Sequence, residues 1–151
     1  MRVFLDTNVL VSAFATRGVC ADVLRVVLAE HTRVTGEVVL QELGRVLRRR
    51  IGLPPGAVKE IDEFMREQEV TAKPSAPAAV PERDPDDRWV VASALESRAD
   101  VLVTGDRDLW TSRPPRPSGT LILEGSGTLS ARTAQHHTLR PLLRLQLSHR
   151  S

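Results

Sequence analysis

An α/β fold with a parallel sheet is the architecture this chain predicts, and three observations carry it. Val3-Phe4-Leu5 is a short apolar run without alternation that stops at Asp6, and a helical pattern starts straight after it. Val101-Leu102-Val103 repeats that grammar about a hundred residues later. Such runs suit strands buried on both faces, as in a parallel sheet. Between them, strand-like and helix-like segments alternate with no detectable repeat. Ligands in open parallel sheets bind beyond the carboxyl ends of the strands. Asp6 and Asp106, which follow the two runs, therefore fall where such a fold puts its chemistry.

After Asp6, the residues Val9, Leu10, Ala13 and Phe14 fall at helical spacing and predict a short helix to about Gly18. A second helix is expected from Ala21 to Glu30, with Leu24, Val27 and Leu28 inward. His31 to Thr35 is a weak strand candidate. Gly36 then precedes a stronger helix from Glu37 to about Arg50, with Val39, Leu43, Val46 and Leu47 on one face. Glu42 lies roughly 60° from the middle of that stripe, at about 100° per residue, so it sits at the edge of the buried face. Arg48-Arg49-Arg50 has two readings: a charge cluster suited to a helix C-terminus, or a track for phosphates.

Pro54-Pro55 opens a further helix to about Glu69, with Val58, Ile61, Phe64 and Met65 apolar. It and the preceding helix form a charged, partly exposed hairpin. Val70-Thr71-Ala72 is a short strand candidate, and the Pro- and Ala-rich stretch from Lys73 to Pro81 is a loop. Asp84 is placed to cap a helix with Pro85 at its first position. On that helix Val91, Ala94 and Leu95 face inward, Asp87 lies one turn ahead of Val91 on the same side, and Asp86 points to solvent. Gly105 permits a tight turn before Asp106. Leu121-Ile122-Leu123 is the last strand candidate. The folded domain is therefore expected over residues 1–124, with 125–151 a basic C-terminal tail.

Composition narrows the function classes. A chain of 151 residues is about one domain. Cys20 is the single cysteine, which excludes a disulfide framework and any Cys-based zinc site and fits a reducing cytoplasm. Asp6 interrupts the apolar start, and no apolar stretch is long enough to span a membrane. The formal charge of +2 is uneven: residues 1–110 hold 15 basic and 18 acidic side chains, and residues 111–151 hold 6 and 1. Nearly every cation is Arg, which pairs bidentately with phosphate, so nucleic acid is a permitted partner. With no Tyr and 3% aromatics overall, the composition disfavours a base-stacking platform of the single-strand-binding kind. His136, His137 and His149 have poor spacing for tetrahedral ligation and no acidic neighbours.

The acids need an explanation. Each taken alone reads as a helix cap or dipole complement. Two strands each delivering a carboxylate at the same end, with Glu42 and Asp87 turned inward, fit that account less well. Four converging carboxylates repel one another unless a cation is shared. Hard oxygen ligands without Cys or His select Mg²⁺ or Mn²⁺. Such ions activate water against phosphorus, and no Ser/His/Asp or Cys/His nucleophile set competes for the role.

These stretches resemble the PIN-domain nucleases, in particular the VapC-like toxin components of bacterial toxin–antitoxin systems. The resemblance rests on Val3 to Ala13, Val39 to Leu43, Arg83 to Asp87 and Val101 to Leu109, in family order over about residues 1 to 110. It implies a three-layer α/β/α sandwich with a central parallel sheet, and metal-dependent endonucleolytic cleavage of single-stranded RNA. Asp6, Glu42, Asp87 and Asp106 match the acidic quartet as catalytic and metal-holding residues. Thr7, Asn8 and Thr104 match supporting polar positions, and Asp84 and Asp108 match recurrent but less central acids. The resemblance further implies a homodimer and a cognate antitoxin. Residues after Glu124 do not resemble the family's ending.

Three other readings are weaker. An inactive PIN-like module that binds RNA or protein leaves an intact acidic quartet without a purpose. A receiver-type phosphoacceptor needs a Lys after a late strand, and neither Lys59 nor Lys73 is so placed. Aspartyl phosphohydrolases want a second Asp two residues after the first, where this chain has Asn8.

Overall fold

The computed structural model describes residues 1–79 and 85–105, and the backbone of 119–123 and 129–132. Within them the order is β1 (Arg2–Leu5), α1 (Thr7–Ala15), α2 (Val19–Glu30), β2 (Thr32–Gly36), α3 (Glu37–Val46), a π-helical turn (Leu47–Ile51) and α4 (Pro55–Arg66). Then come β3 (Glu69–Thr71), α5 (Pro85–Glu96), β4 (Val101–Thr104), β5 (Gly119–Leu123) and β6 (Leu129–Arg132). The strands form one sheet in the order β3-β2-β1-β4-β5-β6. The first five are parallel, and β6 is antiparallel to β5. No sequence pattern suggested β6, which lies beyond the boundary expected at residue 124.

From β1 the chain steps one way to β2 and β3, then returns to β4 on the other flank of β1. Parallel crossovers are right-handed. The helices between β1 and β3 therefore cover one face and α5 covers the other, giving the α/β/α layering. The point where the order reverses lies between β1 and β4. Open sheets of this kind bind their ligands outside the strand ends there.

Val3, Phe4 and Leu5 are at most 1% exposed, as a two-sided central strand requires. The stripe of α2 is Ala21, Val23, Leu24 and Val27, with Leu28 half-buried. On α3 it is Val39, Leu40 and Leu43, with Val46 half-buried. Helix α3 gives way to the π turn at Leu47, and Gly52 ends that turn at φ 78°. This left-handed conformation costs Gly no Cβ clash. α4 packs on α3, and Arg66 at its end donates to both Glu37 carboxylate oxygens at 2.5 and 3.1 Å. The hydrogen bonds from Arg66 hold the Glu37 carboxyl below its usual range. Residues 73–79 are strapped to α5: Arg88 Nε donates to the Ala78 carbonyl at 3.0 Å, and Lys73 lies over the Trp89 ring.

Arg33 on β2 is 1% exposed, an unusual site for a guanidinium. Its Nη2 donates to the Met65 carbonyl at 2.5 Å, while no described acceptor meets Nε or Nη1. Burial lowers its pKa, because the charged form loses hydration. Each unsatisfied buried donor costs about 1–3 kcal/mol. Arg33→Met is therefore expected to stabilise the fold by about 1–3 kcal/mol in urea unfolding, with an unchanged dependence on denaturant. A destabilised variant would show that Arg33 has acceptors that this geometry does not reveal.

Candidate active site

The site begins where β1 ends. Asp6 has extended backbone angles (φ −66°, ψ 155°), and its carbonyl accepts the first bond of α1, from Leu10 N at 3.1 Å. Its own N–H donates to the Val103 carbonyl at 2.9 Å, which ties the residue to β4. The carboxylate divides its two oxygens. Oδ1 accepts from the Thr7 N–H at 2.7 Å, and Oδ2 accepts from the Thr104 hydroxyl at 2.8 Å. Capping is thus a real role of Asp6, but it uses one oxygen. The other is held across the gap between β1 and β4 by a residue 98 positions away.

The chain of bonds continues outward. The Thr7 hydroxyl donates to Glu42 Oε2 at 2.9 Å, tying the first turn of α1 to the middle of α3. Asp6, Thr7 and Thr104 are buried and Glu42 is half-buried, so the bonds lead from the core to the surface. Asn8 is exposed on the first turn of α1 and makes no side-chain bond among the described residues.

Asp87 reaches the same end of the sheet by a different route. At the C-terminal end of α5, Arg2 donates from Nε and Nη2 to the Ser97 carbonyl. Arg2 and Asp100 also exchange bonds, Asp100 N to the Arg2 carbonyl at 2.8 Å and Arg2 N to Asp100 Oδ2 at 2.8 Å. The end of α5 is thereby pinned to the start of β1. A 12-residue helix spans about 18 Å. Its first turn, with Asp86 and Asp87, therefore projects toward the strand ends that carry Asp6 and Thr104. Asp87 is half-buried and Asp86 exposed, as their spacing from Val91 suggested.

A hollow of about 250 Å³ opens beside Glu42, lined by Val38, Gln41, Glu42, Arg45 and Asp86. Sequence reasoning missed two of these. Asp86 is exposed, as its spacing suggests, but its place in the wall of the hollow beside Glu42 was not expected. Arg45 was passed over, although its position three residues after Glu42 puts both on neighbouring parts of the helix surface. Asp84, Asp106 and Asp108 lie outside the described residues, as do His136, His137 and His149. Among the described residues no group of three His, Cys, Asp or Glu is close enough to hold a metal ion.

At the junction of β2 and α3, Gly36 meets α5. A Cβ there would stand 2.9 Å from Ser93 Cβ and 3.0 Å from Ser93 Oγ. The close approach sets the spacing between the helix bearing Glu42 and the helix bearing Asp87. No helix among the described residues is long and apolar enough to cross a membrane.

Comparison with known proteins fits this architecture. The fold is similar to a chain in the crystal structure of VapBC2 from Rickettsia felis bound to a DNA fragment from their promoter. The TM-score is 0.50 and the sequence identity 16%, over 71% of this chain and 89% of that one. No curated protein matches the sequence. The family model for the PIN domain matches residues 2–108, which span β1 through the end of β4 and every carboxylate discussed above. On that match, and on a sheet whose order reverses at Asp6, this chain belongs to the PIN-domain family.

Proposed function

We propose that the protein is a Mg²⁺- or Mn²⁺-dependent endoribonuclease that cuts single-stranded RNA. In this reading it is the VapC-like toxin of a toxin–antitoxin pair, acts in the cytoplasm as a homodimer and is silenced by its antitoxin. The observation that carries the reading is the run of hydrogen bonds from Thr104 through Asp6 and from Thr7 to Glu42, placed at the reversal of strand order. A buried carboxylate needs donors for both oxygens whatever its role, but a cap alone does not require a partner from the other strand at the reversal of sheet order. A metal ligand does, because neighbours that orient its oxygens fix the direction of its lone pairs.

The donors fit a hard divalent ion in kind. Asp6, Glu42 and Asp87 offer carboxylate oxygen with no sulfur or imidazole among them, the ligand set of Mg²⁺ and Mn²⁺. In this proposal Asp6 and Asp106 hold the ion most directly, and Glu42 and Asp87 complete the set. Asp84 and Asp108 support it from the neighbouring turns. Such an ion, when bound, offsets phosphate charge and makes water acidic enough to serve as the nucleophile. The chain's own work is positional. Thr104 and the Thr7 N–H hold the Asp6 carboxylate in a fixed orientation. Thr7 aims Glu42, and the first turn of α5 adds the positive end of a helix dipole beside an anionic substrate. The VapBC2 neighbour, a toxin–antitoxin assembly by its name, supports the antitoxin as partner.

The test is direct. Incubated with single-stranded RNA, the protein is expected to cut when Mn²⁺ or Mg²⁺ is present and to stop when a chelator is added. RNA that is bound but left intact with every divalent ion would replace this reading with that of an inactive binding module.

A further inference from the structure

We propose that RNA reaches the site along the exposed edge of α3, with successive phosphates held by Arg45, Arg48 and Arg49. The inference rests on the nuclease reading and adds to it the path of the substrate strand.

Several cations of the described chain are already engaged, while Arg17 and Arg98 are exposed with no acidic partner among the described residues. Arg2 pairs with Glu69, Arg25 with Asp22, Lys59 with Glu63, and Arg66 with Glu37 and Asp62, while Arg33 is buried. Arg45, Arg48, Arg49 and Arg50 are exposed, and among the described residues none of them pairs with an acid. Arg48 Nε donates to the Gly44 carbonyl at 3.2 Å, which uses one of its five donors. Residues 1–110 are net acidic, so this cluster is no by-product of a basic composition. Helix-end electrostatics favours cations in the last turn. That account covers Arg45 in the last turn of α3 and the arginines of the π turn alike, and leaves the hollows beside Arg45 and Arg48 unexplained.

The shape gives the direction. The hollow at Glu42 has Arg45 in its wall, and a second one, of about 290 Å³, is lined by Gln41, Gly44, Arg48, Lys59 and Arg66 among others. Gln41 lines both, so the two hollows are neighbours along α3, and Asp62 is the one acid among the described residues lining the second. From Glu42 to Arg49 the helix rises about 10 Å, the scale of a few nucleotides rather than of a whole RNA. A strand approaching Glu42 and Asp86 meets carboxylates that repel its phosphates. Cations spaced one turn apart just outside that point offset the repulsion and leave the bases unread.

Binding of a labelled twelve-nucleotide single-stranded RNA, measured by anisotropy in chelator over a range of salt, tests the path without requiring cleavage. Arg48→Gln with Arg49→Gln is expected to flatten the slope of log affinity against log salt by about 1.4, at about 0.7 per phosphate contact. Arg48→Lys with Arg49→Lys keeps the charge and is expected to keep the slope. An unchanged slope in the Gln pair overturns the path, and so does an equal loss in the Lys pair. A Gln pair that retains RNA but loses an acidic antitoxin makes this edge a protein surface instead and also overturns it. A parent that cuts RNA while the Gln pair keeps its slope fails the path alone. A parent that binds through these arginines and never cuts fails the nuclease reading and leaves the path standing.

Discussion

Asp6→Asn is expected to reduce metal-dependent RNA cleavage by about a thousandfold or more while the protein stays folded. Asn keeps an oxygen for the Thr7 N–H, and its amide faces the Thr104 hydroxyl, which accepts as readily as it donates. The hydrogen bonds survive and the negative charge does not. Loss of activity in a variant with parental circular dichroism and melting temperature is then a statement about chemistry. Thr104→Val is the matched control: it leaves the carboxylate and removes only the bond that orients it. Loss of an orienting partner costs about ten- to a hundredfold in metal affinity or activity, so the two variants are expected to fall in that order. Asp106→Asn is expected to match Asp6→Asn. Parental cleavage rates in both Asn variants would refute the assigned chemistry.

Gly36→Val is expected to cost about 3 kcal/mol of stability, measured by urea unfolding. The backbone at Gly36 is extended (φ −129°, ψ 155°), a conformation valine favours, so propensity does not oppose the change. The cost is steric. The new Cβ would lie 2.9 Å from Ser93 Cβ, and Ser93 is wholly buried on α5 with nowhere to retreat. Relief requires α3 and α5 to separate, which moves Glu42 relative to Asp87. Cleavage is expected to fall further than the folded fraction explains. Removing the obstruction with Ser93→Gly gives a sharp check, because residues in contact show non-additive effects. The double variant is expected to lose less than the sum of the two single changes. Strict additivity would mean that the Gly36–Ser93 contact is not what sets the spacing.

The elements that the sequence made legible share a cause. β1 and β4 are short runs of β-branched and aromatic or aliphatic residues ended by polar ones, and Pro55 and Pro85 sit at or next to helix starts. These are local signals, and local physics suffices for them. The boundaries that shifted were helix ends. The helix expected to reach Arg50 changes to a π turn at Leu47, and the helix expected to reach Glu69 stops at Arg66 so that β3 can pair with β2. Sheet pairing overrides helix propensity there, and no single segment encodes that competition. β6 escaped notice because an edge strand depends on its neighbour: Leu129 to Arg132 has little apolar content of its own and pairs along β5.

The kinds of atom available to the site were written in the chain. Hard oxygen donors, a single thiol and the absence of a nucleophile set narrow the chemistry before any coordinates. The placement of Asp6 just beyond the end of β1 and of Thr104 at the end of β4 follows from short-range pattern as well. Adjacency was not written there. That Thr104 reaches Asp6 across 98 residues, that Thr7 ties Glu42 to them, and that Arg45 and Asp86 share a hollow with Glu42 are products of packing. A hydrophobic pattern states how much of each segment must be buried. Which segments bury one another depends on strand order and crossover hand, and those exist only in the assembled sheet.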